Sequence, residues 1–313
     1  MRRVAFFIAL ILIFSSLVSC GGGNDASDDR LTVITTIFPQ YDFVRAIVGD
    51  RAEVSMLLAP KAESHTYEPS MADIKKVSEA ELFIYTGNGI DEWAENMAES
   101  LKESDVLTLA SARFVTDTVE ADYSDHDHSD HYHDHEEHSA DEHIWTSPVN
   151  AKKMLYGILE AIVELDPDNA DFYRENAEKY ASELDSVDEL FKEVVAEGKR
   201  SEIIVADRFP FAYLTSEYGL EYTAALSGCS VGQEPSASVI AEMISKVSVD
   251  GISYVFIIEN SDGKTAKLVS EATGCGILTL HSCHNVTAEQ LADGVTYVDL
   301  MRQNAENLRL ALN

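Results

Sequence analysis

Seven of the ten histidines in this 313-residue sequence fall within SDHDHSDHYHDHEEHSADEHIW, from Ser124 to Trp145. Six of them, His126, His128, His131, His133, His135 and His138, stand among ten Asp and Glu between Glu120 and Glu142, with no Lys or Arg. Their successive spacings are 2, 3, 2, 2 and 3, so no single helix or strand face collects them. Nothing apolar in the run would fold it. Neutral imidazole suits zinc, copper or nickel, so residues 120–142 read as a disordered loop that gathers metal weakly at interchangeable places. Such capture needs deprotonated rings and is expected to fail below about pH 6.

The remaining histidines are less conspicuous and better placed. His65, in LLAPKAESHTYEP, follows an apolar strand; His281 and His284, in LTLHSCHN, follow another one far along the chain. His143, in DEHIWTSP, stands just ahead of a capped helix. A lone loop histidine is ordinarily only a polar residue. Imidazoles at the ends of strands in different parts of one chain make a metal site if the fold brings them together. The sequence has no G-x-S-x-G elbow, H-E-x-x-H pair or Gly-rich phosphate loop. A zinc hydrolase would need a general base near the metal, for which only Glu63 or Glu234 is available.

The elements that must position these residues alternate between strand and helix. LTVITTIF (Leu31–Phe38), VSMLLA (Val54–Ala59), LFIY (Leu82–Tyr85) and a strand near Val106–Leu109 are separated by helical segments, which predicts a doubly wound parallel α/β lobe over 31–146. Ser147 as N-cap and Pro148 at the first turn open a pair of linking helices over 147–198, broken at Asp166-Pro167. In the second, Tyr173, Ala177, Tyr180, Leu184, Val187, Phe191 and Val194 step by 4, 3, 4, 3, 4 and 3. Such a stripe predicts one long rigid helix lying along other structure. Strands IIVA (Ile203–Ala206), YVFII (Tyr254–Ile258) and ILTL (Ile277–Leu280) then build a second α/β lobe over 199–313. Two such lobes on a helical backbone leave a cleft at their strand ends, where open α/β sheets bind ligands.

A net charge of −32 argues against nucleic acid and against an anionic membrane surface, and it suits a soluble protein that handles cations. Residues 1–19 have a basic start (Arg2, Arg3) and a short apolar core (Val4–Phe14) and read as a signal peptide. It ends in LVSC, which resembles a lipobox with Cys20 as the lipidated residue. Residues 20–30 then read as a polar tether. Cys229, Cys275 and Cys283 remain, an odd number in a compartment that permits disulfides, with a mild preference for pairing Cys229 with Cys283.

SHTYEPSMADIKKVSEAELFIYTG, DEHIWTSP and SEYGL resemble the metal-binding solute receptors of zinc and manganese ABC importers. The resemblance covers essentially the whole chain after the signal peptide, and a His/Asp-rich loop marks its zinc branch. It implies two α/β lobes joined by a rigid helix, one metal in the cleft and no enzyme activity. It also implies an ABC permease with its ATPase as partners, a lipid-anchored monomer outside the cytoplasmic membrane, and no nucleic acid. Residue by residue it implies His65, His143 and His281 as metal ligands. The remaining family ligand falls on Arg208, which stays protonated and cannot ligate. Asp207 could replace it, or His284 or Cys283 could enter from the last loop. Alternatively three imidazoles leave a position for water, with Arg208 paired nearby, for instance to Glu234. Nitrogen donors favour Zn2+ over Mn2+. The alternatives kept open are a manganese-type receptor and a surface adhesin lipoprotein.

Overall fold

A computed structural model describes residues 30–120, 140–228 and 233–313. The His-rich run His126–His138, Cys20 and Cys229 lie outside the described residues.

β1 (Leu31–Thr35), β2 (Ala52–Met56), β3 (Leu82–Tyr85) and β4 (Leu107–Ala110) form a parallel sheet in the order β2-β1-β3-β4. Helices α1 (Phe38–Val48), α2 (Met71–Ser78) and α3 (Glu92–Ser100) connect them. The first strand is shorter than its apolar run suggests, because Pro39 in the first turn of α1 starts a helix where the run would extend the strand. α4 (Pro148–Leu165) and α5 (Ala170–Glu197) follow, the break being a single 3-10 turn at Pro167–Asn169. Ser147 caps α4 by accepting from the Asn150 amide.

The second sheet, β5 (Glu202–Val205), β6 (Glu221–Ala224), β7 (Tyr254–Ile257) and β8 (Gly276–Thr279), repeats the same order as β6-β5-β7-β8, again parallel. Its helices are α6 (Ala212–Tyr218), α7 (Ala237–Asp250) and α8 (Lys264–Thr273), and the chain closes with α9 (Ala288–Ala292) and α10 (Tyr297–Ala311). The fold is therefore the expected pair of parallel α/β lobes on a long helix.

Alternation along the central strands divides the apolar residues between layers. Val33, Leu82, Ile84, Ile203 and Val205 join one large core that runs through both lobes and the linking helices. Ile34 and Phe83 turn to the opposite face of the first sheet, and Ile204 to the opposite face of the second. Every member of the α5 stripe, from Tyr173 to Val194, is buried in the shared core. α5 packs on α4, α10 and α1 over a length of roughly 40 Å. The buried Asp42 carboxylate of α1 pins this spine, accepting from the Tyr180 hydroxyl of α5, the Tyr297 amide of α10 and Arg45. Residues 31–313 cluster as one compact unit, so the lobes are built onto a common support.

Candidate metal centre

Loops from the carboxyl ends of both sheets meet in the cleft. The loop after β2 carries Glu63 and His65; the turn before α4 carries Asp141, Glu142, His143 and Trp145. From the other lobe, the loop after β5 carries Arg208, and the loop after β8 carries His281 to Asn285. Backbone and side-chain hydrogen bonds stitch the two sides together. Asn285 Nδ2 donates to the carbonyls of Ala59 and Ala62, both at 2.9 Å. The Lys61 amide donates to Val286 O at 3.2 Å, and Phe38 N to His284 O at 3.3 Å. Cys283 adopts φ 59°, a left-handed conformation uncommon for a side-chain-bearing residue, and the strain falls between Ser282 and His284 at the turn that aims the loop.

Three imidazoles gather there: His65, His143 and His284. The His65 ring centroid lies 6.3 Å from that of His143 and 6.4 Å from that of His284. Each ring has a carboxylate beside Nδ1. His143 Nδ1 is 3.2 Å from Asp141 Oδ1, His65 Nδ1 is 3.6 Å from Glu142 Oε2, and His284 Nδ1 is 3.8 Å from Glu63 Oε1. A carboxylate on one ring nitrogen fixes the tautomer and leaves the other nitrogen to a metal. Consistent with that, Nε2 of His65 and of His284 are buried with no hydrogen-bond partner among the described residues. An orphaned buried acceptor is costly unless a ligand satisfies it.

Burial drives the His65 and His284 rings below the usual imidazole range, His284 to about 3, so both are deprotonated at neutral pH. Neighbouring rings add to this, whereas Glu63 works against it. Burial pushes the Glu63 carboxyl up, but His284 and the Arg208 guanidinium outweigh it and hold the group below the ordinary glutamate range. Glu142 goes the other way, raised chiefly by burial.

The trio is gathered but not closed. Among the described residues no three His, Cys, Asp or Glu side chains already stand around one point at coordinating distance. With Zn–N bonds of about 2.0–2.1 Å, ring centroids around one tetrahedral ion lie about 5 Å apart, so the rings must approach by roughly 1 Å. The cavity beside them, bounded by His143, His284, Glu63, Arg208 and Lys61, is about 50 Å³.

The structure brings His284, not His281, to His65 and His143. The backbone of His281 is clamped from both sides by the buried Asn304, which accepts from its amide at 2.7 Å and donates to its carbonyl at 2.8 Å. The charged group acting on its ring is Glu259. Asp207 serves its own turn, accepting from the Arg208 amide at 2.8 Å, and bounds a different pocket with Lys264. Arg208 pairs with Glu63 at 3.1 Å rather than with Glu234, which lies 3.8 Å from Lys264. Cys283 carries a free, fully buried thiol packed 3.7 Å from the sulfur of Met301, against the expected pairing with Cys229.

Two residues that the sequence did not single out support the site. Trp145, fully buried, lies with its ring centroid 5.4 Å from His143 and 6.1 Å from His284, and its Nε1 donates across the cleft to Ser282 O at 2.7 Å. Its own carbonyl accepts from the Tyr297 hydroxyl. Trp93 Nε1 donates to Ser64 O at 3.2 Å, beside His65. The HIW triplet was the available signal for the first of these.

Residues 33–311 match the family described as zinc-uptake complex component A, periplasmic (ZnuA). The chain belongs to that family. Its members are metal-binding receptors rather than enzymes. The chain is 30% identical over 304 residues to the high-affinity zinc uptake system protein ZnuA of Bacillus subtilis, covering 96% of this chain and 94% of that one. It is also 30% identical over 312 residues to the zinc-binding lipoprotein AdcA of Streptococcus pneumoniae, covering 99% of this chain but only 61% of that longer protein. The crystal structure of the Zn(II)-bound ZnuA-like domain of that AdcA superposes with a TM-score of 0.75 at 27% identity, covering 90% of this chain and 99% of that domain.

Proposed function

We propose that this chain is an extracytoplasmic zinc receptor that captures Zn2+ with His65, His143 and His284 and hands it to an ABC importer. The observation that carries the reading is the convergence of three imidazoles from both lobes, each backed by a carboxylate at Nδ1, with the Nε2 atoms of His65 and His284 buried and unpartnered among the described residues. Such nitrogen-rich ligation suits zinc better than manganese, which favours oxygen. His281 is not part of this set. Because the loops come from opposite lobes, binding draws the cleft together, and opening it weakens the grip at delivery.

Two further parts come from the sequence. The run His126–His138 serves as a weak capture segment feeding the tight site, and Cys20 bears the lipid that keeps the receptor at the membrane beside the permease. Calorimetric titration with zinc tests the core of this: the wild-type chain should give one tight event and several weak ones. Single alanine variants at His65, His143 and His284 should each abolish the tight event. Retention of it in any of the three removes that residue from the site. Cys20→Ala should shift the protein from the membrane fraction to the soluble extracytoplasmic fraction; unchanged membrane association would rule out the anchor.

A further inference from the structure

The three imidazoles do not have equivalent surroundings. His65 and His143 face Glu142 and Asp141, which belong to their own lobe and sit side by side in sequence. His284 faces Glu63, a carboxylate from the opposite lobe, and the second oxygen of Glu63 is held by Arg208 at 3.1 Å. Glu63, Arg208 and His284 all line the same small cavity.

We propose that Arg208 is a specificity-determining positioning residue: by engaging Glu63 it holds that carboxylate behind His284 and out of the coordination sphere. The metal then meets three nitrogens and a water rather than three nitrogens and a carboxylate. The proposal rests on the reading of His65, His143 and His284 as the zinc site.

A carboxylate at the wall of a cavity that receives a divalent cation is a strong competitor for the ion. It stays out only if something else holds it. Arginine does this well, because its planar fork of donors remains charged under all working conditions. Held there, Glu63 stands 3.8 Å from His284 Nδ1, where its charge favours the tautomer that carries the proton on Nδ1 and presents Nε2 to the metal. The cavity of about 50 Å³, lined by His143 and His284, has room for water beside the rings. Released from Arg208, the same carboxylate would add an oxygen donor, and oxygen donors improve the standing of manganese against zinc.

Zinc and manganese titrations of the full chain test this with Arg208→Met, Glu63→Gln, the double variant and Arg208→Lys, each checked for folding by circular dichroism. Should Arg208→Met fail to fold, Arg208→Gln takes its place. The expected result is that Arg208→Met improves manganese affinity relative to zinc at least tenfold, that the gain disappears in the double variant, and that Arg208→Lys keeps the wild-type ratio. A folded Arg208→Met with an unchanged ratio, or a gain that persists without Glu63, overturns the proposal. His65→Ala and His284→Ala separate the two levels. If they retain tight zinc the site itself is misassigned; if they lose it while the ratio stays fixed, only the role of Arg208 falls.

Discussion

The two lobes share one strand order, β2-β1-β3-β4 against β6-β5-β7-β8, yet they equip the cleft differently. The N-terminal lobe supplies two imidazoles together with the three carboxylates that stand behind the trio. The C-terminal lobe supplies one imidazole and a guanidinium. A repeated scaffold thus fixes where loops emerge without fixing what they carry. The lopsided division has a mechanical meaning. The N-terminal half supplies the carboxylates beside its own rings, whereas the carboxylate beside the His284 ring, Glu63, belongs to the other lobe. Metal affinity should therefore depend on lobe approach through the C-terminal contribution above all.

The largest effect that tests this asymmetry is ligand removal. Alanine at His65, His143 or His284 should weaken tight zinc binding by at least about 100-fold, since a structural zinc site distributes about 10–16 kcal/mol over a few ligands. His281→Ala should leave it within about threefold, as the ring contacts of the trio and the wall of the adjoining cavity are made with His284. A large loss in His281→Ala would return that residue to the site and break the assignment of His284.

A smaller effect should come from the cross-cleft brace. Trp145→Phe keeps an aromatic ring between His143 and His284 but loses the donor to Ser282 O. We expect roughly a tenfold loss of zinc affinity, in the range of outer-sphere substitutions. Unaltered affinity would mean that the lobes register without this bond.

Acidification, compared between wild type and a His284 variant, isolates the C-terminal imidazole. The His284 ring is held down to about 3 by burial, against an ordinary value near 6.5. As pH falls below 6.5 the unfolded chain takes up a proton that the folded chain cannot, so stability is lost with falling pH. Between pH 6.5 and 5 the metal-free protein should lose roughly 2 kcal/mol through this residue. Denaturant titrations of wild type and His284→Gln should differ in pH slope by that amount; parallel slopes would show that the ring is not buried in solution. The least consequence for the tight site should follow from deleting residues 125–139, which should remove weak zinc binding only. Loss of the tight event in that deletion would make the run part of the site.

Much of this architecture is legible in the order of residues alone. The seven-residue rhythm of Tyr173 to Val194 specifies a long buried helix because one stripe must face one partner. The β-branched runs at β1, β3, β5 and β7 read as strands for similar reasons. β6 escaped, since Glu-Tyr-Thr-Ala on a sheet edge has neither an apolar run nor a clean alternation. At the site, His65 and His143 are marked by their motifs. The choice between His281 and His284 is not, because two histidines three residues apart in an aperiodic loop differ only by how Asn304 and the Cys283 turn hold the chain. The Glu63–Arg208 pair joins residues 145 positions apart in different lobes, a distance over which local patterning carries no information.

The placement of the tryptophans has a practical consequence. The sequence contains two, and each indole donates its proton to a carbonyl in a loop that carries a histidine of the trio, Trp93 to Ser64 and Trp145 to Ser282. Indole emission responds to hydrogen bonding and to the polarity around the ring. The protein thus contains two built-in optical reporters on the N-terminal side of the cleft, one bonded within its own lobe and the other across to the C-terminal loop. Trp93→Phe leaves Trp145 as the sole emitter, so the approach of the C-terminal loop can be followed in real time on unlabelled protein. Cobalt or copper in the trio would quench Trp145, whose ring lies against two of the imidazoles, more strongly than Trp93.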